Sequence, residues 1–537
     1  MPVEGQLNHS SAPSKWIVAF TVILPTFIEV MDTSVVNVSL PHIQGSLNAG
    51  VDEVTWVLTS YLVSNAIIIP ITGWLSSIFG RKNYLLFSIL LFTVSSIICG
   101  AAPSLEILII ARIFQGLGGG GLQPLSQAIL LETFPQREHG MAMAIFGMGV
   151  VFAPILGPVV GGWITDNWNW RWVFYINLPA GILAVMLTIA FIHDPPYIRR
   201  KLVSIDYWGL ALLSIGLGAL QVVLDKGERE DWFNSDFIVT LSIISAVSLA
   251  TFILVELRSE HPVVNLRVLK DRTFASGNII MFTGFFCMFG SIVLLPLYLQ
   301  NLMGYTAFWA GLVLGPGGIA SLAVMPFVGQ LIKRGIPAKF LLALGLTLAS
   351  LGLFKMSDFT LDADFISVAM PRIIQGFGMG MFFVPLGAAS YVNIKVQDIG
   401  NATGIFNLVR NLGGSFGTAF STTLLSQRSQ FHQHMLVEHI TPFNPVFQER
   451  FQSVLNFLSG GEMPSWVQQK QALAFFYGEV LRHASMMAFN DVFWILGWMT
   501  AAVIILTLFM KSPRKAPVPP GKFPERGDAE EQHGFVH

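Results

Sequence analysis

Charge is scarce in this chain. Of 537 residues only 12% are Asp, Glu, Lys or Arg, 32 acidic against 31 basic, about half the charged share of a soluble domain. A soluble protein of this length has several cores to cover with ionised side chains, and this composition cannot cover them. The formal net charge of −1 excludes a nucleic-acid partner, because displacing counterions from phosphates needs a basic surface. Cysteine is nearly absent: Cys99 and Cys287 both lie in apolar runs, which supports neither a disulfide framework nor a zinc site. No Walker A lysine motif is present, so ATP bound by this chain is not its energy source. Gly116-x-Gly118-x-x-Gly121 fits a dinucleotide fingerprint and Gly413-x-Ser415-x-Gly417 fits a nucleophile elbow. Both lie inside apolar spans, without the strand and turn that either chemistry needs.

Apolar residues are abundant, 53% of the chain. Between Trp16 and Phe509 they form fourteen stretches, roughly 15–39, 54–76, 84–102, 105–131, 140–162, 172–192, 207–225, 236–256, 274–299, 307–331, 339–356, 364–389, 400–424 and 487–510. Each is long enough to cross a hydrocarbon layer ~30 Å thick at ~1.5 Å per residue. The polar N-terminal residues lead straight into span 1 with no short apolar core and small-residue cleavage site, so no removable signal peptide is expected. With the N-terminus cytoplasmic, the inner loops and tails gather Arg81, Lys82, Arg199, Arg200, Lys201, Arg267, Lys270, Arg272, Lys333, Arg334 and the basic residues from Lys511 on. The short outer loops then hold only Arg171, Lys226, Arg229 and Lys355. This is the positive-inside pattern, and an even number of spans puts both termini in the cytoplasm.

The chain also repeats itself. Residues 112–125 are RIFQGLGGGGLQPL and residues 372–386 are RIIQGFGMGMFFVPL, 260 positions on, each in a span running from outside to inside. A weaker echo pairs GWLSSIFGR at 73–81 with GQLIKRG at 329–335. The expected architecture is all-α and integral to the membrane: a six-helix half at 1–200, an inserted two-helix hairpin at 201–262, a second six-helix half at 263–510 and a tail at 511–537. Two parallel six-helix repeats are the plan of the major facilitator fold, with substrate near the midplane between the halves. A long outer loop is expected at about 426–486, with helix-like segments near 444–458 and 464–482. His432, His434 and His439 stand close together there, but without matching acidic or Cys ligands they read as a polar turn rather than a metal site. A multi-span enzyme or receptor would need clustered catalytic residues at one interface and no duplicated six-helix unit.

Five short motifs, in order and on the right spans, carry a resemblance. Span 1 has DTSVVNVSLP at 32–41, span 4 has Arg112-Ile-Phe-Gln115-Gly116, and span 5 has APILGPVVGG at 153–162. They are followed by WRWVFYINLP at 170–179 and Asp206-Tyr-Trp-Gly209. Together they resemble the fourteen-helix drug:proton antiporters of the major facilitator superfamily, of the EmrB and QacA types and most like EmrB. One motif departs from that pattern. The loop between spans 2 and 3 keeps Gly73, Gly80, Arg81 and Lys82 but has Ser77 and Ile78 where the family has an acid and a base. Its gating role then rests on the glycines and the remaining cations.

The resemblance implies proton-driven efflux of amphipathic or hydrophobic drugs by alternating access, with no cofactor beyond the proton gradient, from a bacterial inner membrane. It also implies a periplasmic adaptor of the EmrA type and an outer-membrane channel of the TolC type, which would make this chain one part of a tripartite pump. An exporter of one metabolite, siderophore or fatty acid would keep the same motifs.

Few ionisable groups lie deep in the spans, and such groups are functional candidates by default. Glu29 and Asp32 share a face of span 1. Counting residues puts Asp32 and Arg112 at ~10–12 Å depth, where they can meet. Burial favours a protonated Asp32 while Arg112 or a cationic substrate favours its carboxylate, so proton and substrate compete. Arg372, the repeat equivalent of Arg112, and Arg410 are expected to be structural, with polar side chains or carbonyls as partners. A broad apolar cavity with isolated amides would suit amphipathic cations. Its candidate lining is Asn37, Asn65, Gln115, Gln123, Asn278, Phe282, Phe286, Tyr298, Gln300 and Gln375. Gly157-x-x-x-Gly161 is a small-residue spacing for close approach by a helix of the other half, and Pro154 and Pro158 bend span 5 there. With Gly162 these residues are the expected seal against proton leak.

Overall fold

The computed structural model describes residues 13–195, 206–260, 262–458 and 464–507. Arg199, Arg200, Lys201 and the expected tail at 511–537 lie outside the described residues. The described chain is built from α1 (Lys15–Ser46), α2 (Trp56–Phe79), α3 (Arg81–Ala101), α4 (Leu105–Thr133), α5 (His139–Asn167) and α6 (Asn177–Phe191). There follow α7 (Tyr207–Lys226), α8 (Asp236–Arg258), α9 (Arg272–Leu297), α10 (Ala307–Lys333), α11 (Ala338–Met356) and α12 (Phe365–Ser390). Last come α13 (Ile399–Val437), α14 (Pro445–Leu458) and α15 (Ser465–Thr507). Helix starts in the second part of the chain are fixed by side-chain caps. Asp206, Asp271, Thr306 and Asp364 each accept from a main-chain N–H in the first turn of α7, α9, α10 and α12, satisfying donors that have no partner inside the helix.

Among the described residues thirteen helices are long and apolar enough to cross a membrane, one fewer than the fourteen stretches in the sequence. The difference is α13, which has ample length at 39 residues but carries Asn407, Arg410, Asn411 and Ser415. It packs against α9, α15, α2, α4 and α7, so these polar groups face other helices and need not face lipid. The expected long outer loop is also different. Neither 399–437 nor 465–507 contains proline, so α13 and α15 run on without a break through most of that segment. The segment expected as a separate helix near 464–482 is the first part of α15, and α14 rests on it through Phe447 and Phe451 against Phe476.

Helices α1–α6 and α9–α15 each pack as a group, and the groups meet along two seams, α5 against α10 and α12, and α2 and α4 against α13. Hairpin helix α7 packs on both α2 and α13. Lys226 donates to Thr55 Oγ1 at 2.6 Å, and Gln221 and Trp232 donate to Ser415 and Thr423 at 3.1 and 2.9 Å. The hairpin thus holds both groups.

At the end of the bundle that carries Arg81 and Lys333 the two groups are tightly joined. Lys333 of α10 donates to Glu138 Oε1 at 3.0 Å, whose other oxygen takes Lys15 Nζ at 2.5 Å. Gln136 donates to the Val392 carbonyl at 3.1 Å and Asn407 to Gln127 Oε1 at 2.6 Å. A Cβ on Gly73 would lie 2.6 Å from the main chain of Asn401, so only glycine permits this approach of α2 to α13. Along the other seam Gly329 and Gly318 of α10 are filled by atoms of α5 and Gly147 of α5 by Phe383 of α12, whereas Gly315 and Gly311, further toward the opposite end, meet nothing within 4 Å. The bundle is closed at the Arg81 end and opens toward the other.

Gly73→Val should force α2 off α13 and loosen the closed end. In a chain lacking Cys99 and Cys287, cysteines placed at Gln136 and Val392 should cross-link several times less readily when Gly73→Val is added. An unchanged yield would show that Gly73 does not set the seam.

Candidate functional site

Asp32 lies in the middle of α1 with no exposed side-chain surface, and Arg112 of α4 is equally enclosed. Arg112 Nη1 is 2.6 Å from Asp32 Oδ2. The other carboxylate oxygen accepts from Gln115 Nε2 at 3.0 Å and from Asn177 Nδ2 at 2.6 Å. Ser96 of α3 accepts from both amides, at 2.8 Å from Gln115 and 3.3 Å from Asn177. Arg112 also donates to Gln115 Oε1 at 2.7 Å and to the Val57 carbonyl at 3.0 Å, and its guanidinium stacks 4.1 Å from the Tyr61 ring centroid. Five helices, α1, α2, α3, α4 and α6, therefore converge on one carboxylate.

Glu29, one turn away, has a separate shell. Its Oε1 accepts from Tyr61 at 3.1 Å and Asn65 at 3.0 Å, and its Oε2 from Gln123 Nε2 at 2.6 Å. Gln123 Oε1 in turn accepts from Arg410 Nη2. That contact crosses the seam, so Glu29 of the first group is tied through one amide to a cation of the second. The glycine run of α4 makes this shell fit. A Cβ on Gly119 would lie 2.8 Å from the Tyr61 hydroxyl, and one on Gly120 would lie 2.7 Å from the Asn65 carbonyl.

The second group holds a partial copy. Arg372 Nη1 donates to Gln375 Oε1 and Gln375 Nε2 to Ser291 Oγ, the latter at 2.8 Å. The chain matches the family model described as the Major Facilitator Superfamily over residues 22–418. The chain belongs to this superfamily. It is 36% identical over 499 residues to the "Multidrug export protein EmrB" of Haemophilus influenzae, covering 91% of this chain and 94% of that protein. It is 38% identical over 426 residues to the "Fatty acid resistance protein FarB" of Neisseria gonorrhoeae, covering 79% and 84%. The solved structure of the proton:xylose symporter XylE superposes with a TM-score of 0.59 at 15% identity, covering 93% of this chain and 96% of that one. The major facilitator fold, and a multi-pass transporter of the inner membrane rather than an enzyme, follow from this membership.

Of the residues singled out from the sequence of this superfamily member, the structure gathers Glu29, Asp32, Asn65, Arg112, Gln115 and Gln123 in one place. Others lie apart from them. Asn37 is exposed. Asn278 donates to the Phe274 carbonyl of its own helix at 2.8 Å. Tyr298 is buried, stacked on Phe359 and donating to the Thr360 carbonyl at 2.7 Å, so its ring and hydroxyl serve packing of the second group and not a cavity wall. Gln300 is exposed in the turn that follows α9. Phe282 and Phe286 stack with Phe416 and Phe420 of α13. Arg372 and Arg410 each bond a glutamine amide oxygen, and no carboxylate among the described residues bonds either directly.

The helix-5 expectation is corrected in its direction. Gly157 and Gly161 are filled by Ser34 and Val35 of α1, in the same group, and Gly162 meets nothing within 4 Å. The seam with the second group instead uses Gly140, filled by Ile332 of α10, and Gly147, filled by Phe383 of α12. Pro158 has no N–H for the carbonyl of residue 154, and Ser34 Oγ donates to the Pro154 carbonyl at 3.2 Å, so the prolines too serve the fit of α5 on α1. In the loop after α2, the acid absent at position 77 comes from elsewhere. Arg81 donates to Glu132 at 2.7 Å and to Ser76 at 2.5 Å. Asp194 accepts from Lys82 N at 2.8 Å and lies beside Gly80, whose φ of +87° no other residue adopts readily.

Sequence reasoning passed over Asn177, Ser96 and Tyr61. Asn177 stood in a quoted motif, and a lone amide in an apolar span was the available signal. Asn177→Leu removes a donor to a buried carboxylate and should cost ~1.5–3 kcal/mol. A lower thermal unfolding midpoint of the purified protein in detergent is expected, and an unchanged midpoint would mean that Asn177 does not hold Asp32.

Proposed function

We propose that this chain exports amphipathic or hydrophobic drugs in exchange for protons, by alternating access, with Asp32 and Glu29 as the coupling carboxylates. The observation that carries this reading is the donor shell of Asp32. Three N–H donors from Arg112, Gln115 and Asn177 point at one carboxylate. A protonated carboxyl is itself a donor and accepts less well, so when a proton arrives the charge-assisted contact with Arg112 weakens and the two amide contacts weaken with it. Proton uptake at Asp32 thus loosens α4 or α6 from α1. At Glu29 the same step weakens the Gln123 contact and, through it, the link to Arg410 across the seam. A proton at either site changes what holds the groups together, which is the requirement for coupling.

Orientation follows the positive-inside pattern: the Arg81 end is cytoplasmic with both termini, and the open end faces outward. Similarity to EmrB supports work with an adaptor of the EmrA type and a channel of the TolC type. The helical assembly of α13, α14 and α15 beyond the open end, with Phe443 and Phe457 exposed, is where such an adaptor would dock. Similarity to FarB supports a second reading, export of fatty acids on the same scaffold.

Proteoliposomes with an imposed pH gradient test the coupling. Wild type should exchange a fluorescent lipophilic cation for protons, and Asp32→Asn should lower the rate about tenfold or more, the equivalent of ~1.4 kcal/mol lost from the rate-limiting step. Equal rates would make Asp32 a structural residue, with Glu29→Gln the next variant to distinguish the two carboxylates.

A further inference from the structure

The second group contains the Asp32 site with its carboxylate missing. Arg372 and Gln375 stand 260 positions after Arg112 and Gln115, and Ser291 on α9 stands 259 positions after Asp32 on α1. The contacts repeat as well. Gln115 Nε2 donates to Asp32 at 3.0 Å and Gln375 Nε2 to Ser291 Oγ at 2.8 Å, while each arginine gives its Nη1 to the Oε1 of its glutamine. Arg112 spends its Nε on the Val57 carbonyl. Arg372 packs against Gly317, 260 positions after Val57, and its buried Nε has no partner. In the first group the site is closed and neutral, with Arg112 fully enclosed; in the second Arg372 keeps part of its surface exposed and Ser291 offers only a hydroxyl.

An arginine in the apolar layer with only a neutral amide beside it is costly, and an anion that reaches it regains much of that cost. A guanidinium fork matches a carboxylate in two parallel hydrogen bonds. Leu294, Val313, Val368 and Ala369 are buried in one apolar cluster on the helices around the site, and Leu314, one turn before Gly317 on α10, packs on that cluster with part of its surface exposed, the apolar surface that would meet a hydrocarbon chain. We propose that Arg372, Gln375 and Ser291 form a subsite for the carboxylate of an amphipathic substrate, which supplies the charge that Asp32 supplies in the other half. The inference rests on the export reading and names one substrate class for it: long-chain carboxylates.

Ser291→Asp tests it without removing the arginine, because the first group already accommodates this geometry. The full-length purified protein is titrated with dodecanoate and with dodecyltrimethylammonium, which share a chain and differ in head-group charge. Ser291→Asp and Arg372→Gln should each lower the ratio of dodecanoate to cation affinity about tenfold or more, and Arg372→Lys, which keeps the charge but not the fork, should fall between wild type and Arg372→Gln. A ratio unchanged in Ser291→Asp and Arg372→Gln, or wild-type binding of dodecanoate no tighter than of neutral dodecanol, overturns the subsite. Transport separates the two levels. If wild-type proteoliposomes exchange the cation but not dodecanoate for protons, only the subsite falls; if they exchange neither, the export reading falls and the subsite with it.

Discussion

A carboxylate and a guanidinium 2.6 Å apart with no exposed surface impose the conditions that the surrounding helices meet. Neither charge is tolerable alone in the apolar layer, so each must be matched by the other and by further hydrogen bonds, and of the guanidinium nitrogens only Nη2 is left without a partner. Gln115 and Asn177 complete the shell of Asp32, Ser96 holds both amides, and Tyr61 covers the guanidinium face. Those side chains come from separate helices, so the ion pair fixes the relative position of most of the first group. An interaction of this kind adds little net stability against an apolar replacement. Its consequence is that a change of one proton must be felt by several helices together.

The same logic explains why the two halves differ in chemistry while sharing a plan. Both halves have an arginine and a glutamine three residues on, yet only in the first does an acid of the opening helix face them. With Ser291 in place of the acid, charge is balanced internally in one half and left open in the other. Arg410 adds to this imbalance. It is a cation of the second group whose hydrogen bond goes to Gln123 of the first, and Gln123 is shared with Glu29.

What the sequence carried plainly was what lipid and repetition force on it. Apolar length marked the spans, the recurrence of RIFQG and RIIQG marked the halves, and the scarcity of buried charge isolated Glu29, Asp32 and Arg112. The span at 400–424 was legible by its length although α13 carries a polar face, which that helix can bear because it is surrounded by protein. Tyr298 and Asn278 lie apart from the site for a reason that sequence does not record: the O–H or N–H of a polar side chain in a span is as readily taken by a main-chain carbonyl as by another side chain. The glycines of α5 were legible as a close-packing face, but small-residue spacing has no direction, and whether it meets α1 or α10 depends on helix rotation. Glu132 and Asp194 were invisible as replacements for the acid at position 77, since they lie about fifty and over a hundred residues away in the chain.

The closed end and the carboxylates are physically one system. At the Arg81 end the groups are held by Glu138 between Lys15 and Lys333 and by the glycine contacts of α2 with α13. Deeper in the bundle they are held by Asn407 on Gln127 and by Arg410 on Gln123. Three of the four amide and guanidinium partners in that deeper layer are neutral amides, which bind a neighbour only as well as their own orientation allows. Gln123 is oriented by Glu29: its N–H is taken by the carboxylate, which turns its carbonyl oxygen toward Arg410. If Glu29 becomes neutral, Gln123 loses the acceptor that orients it, and the cross-seam contact weakens without any change in the residues at the closed end. The two tiers therefore need not open together. Loss of charge at Glu29 would act on the polar layer alone, and the ion pairs of Glu138, which no proton at Glu29 touches, would set how far the groups must still be pulled apart before the Arg81 end opens.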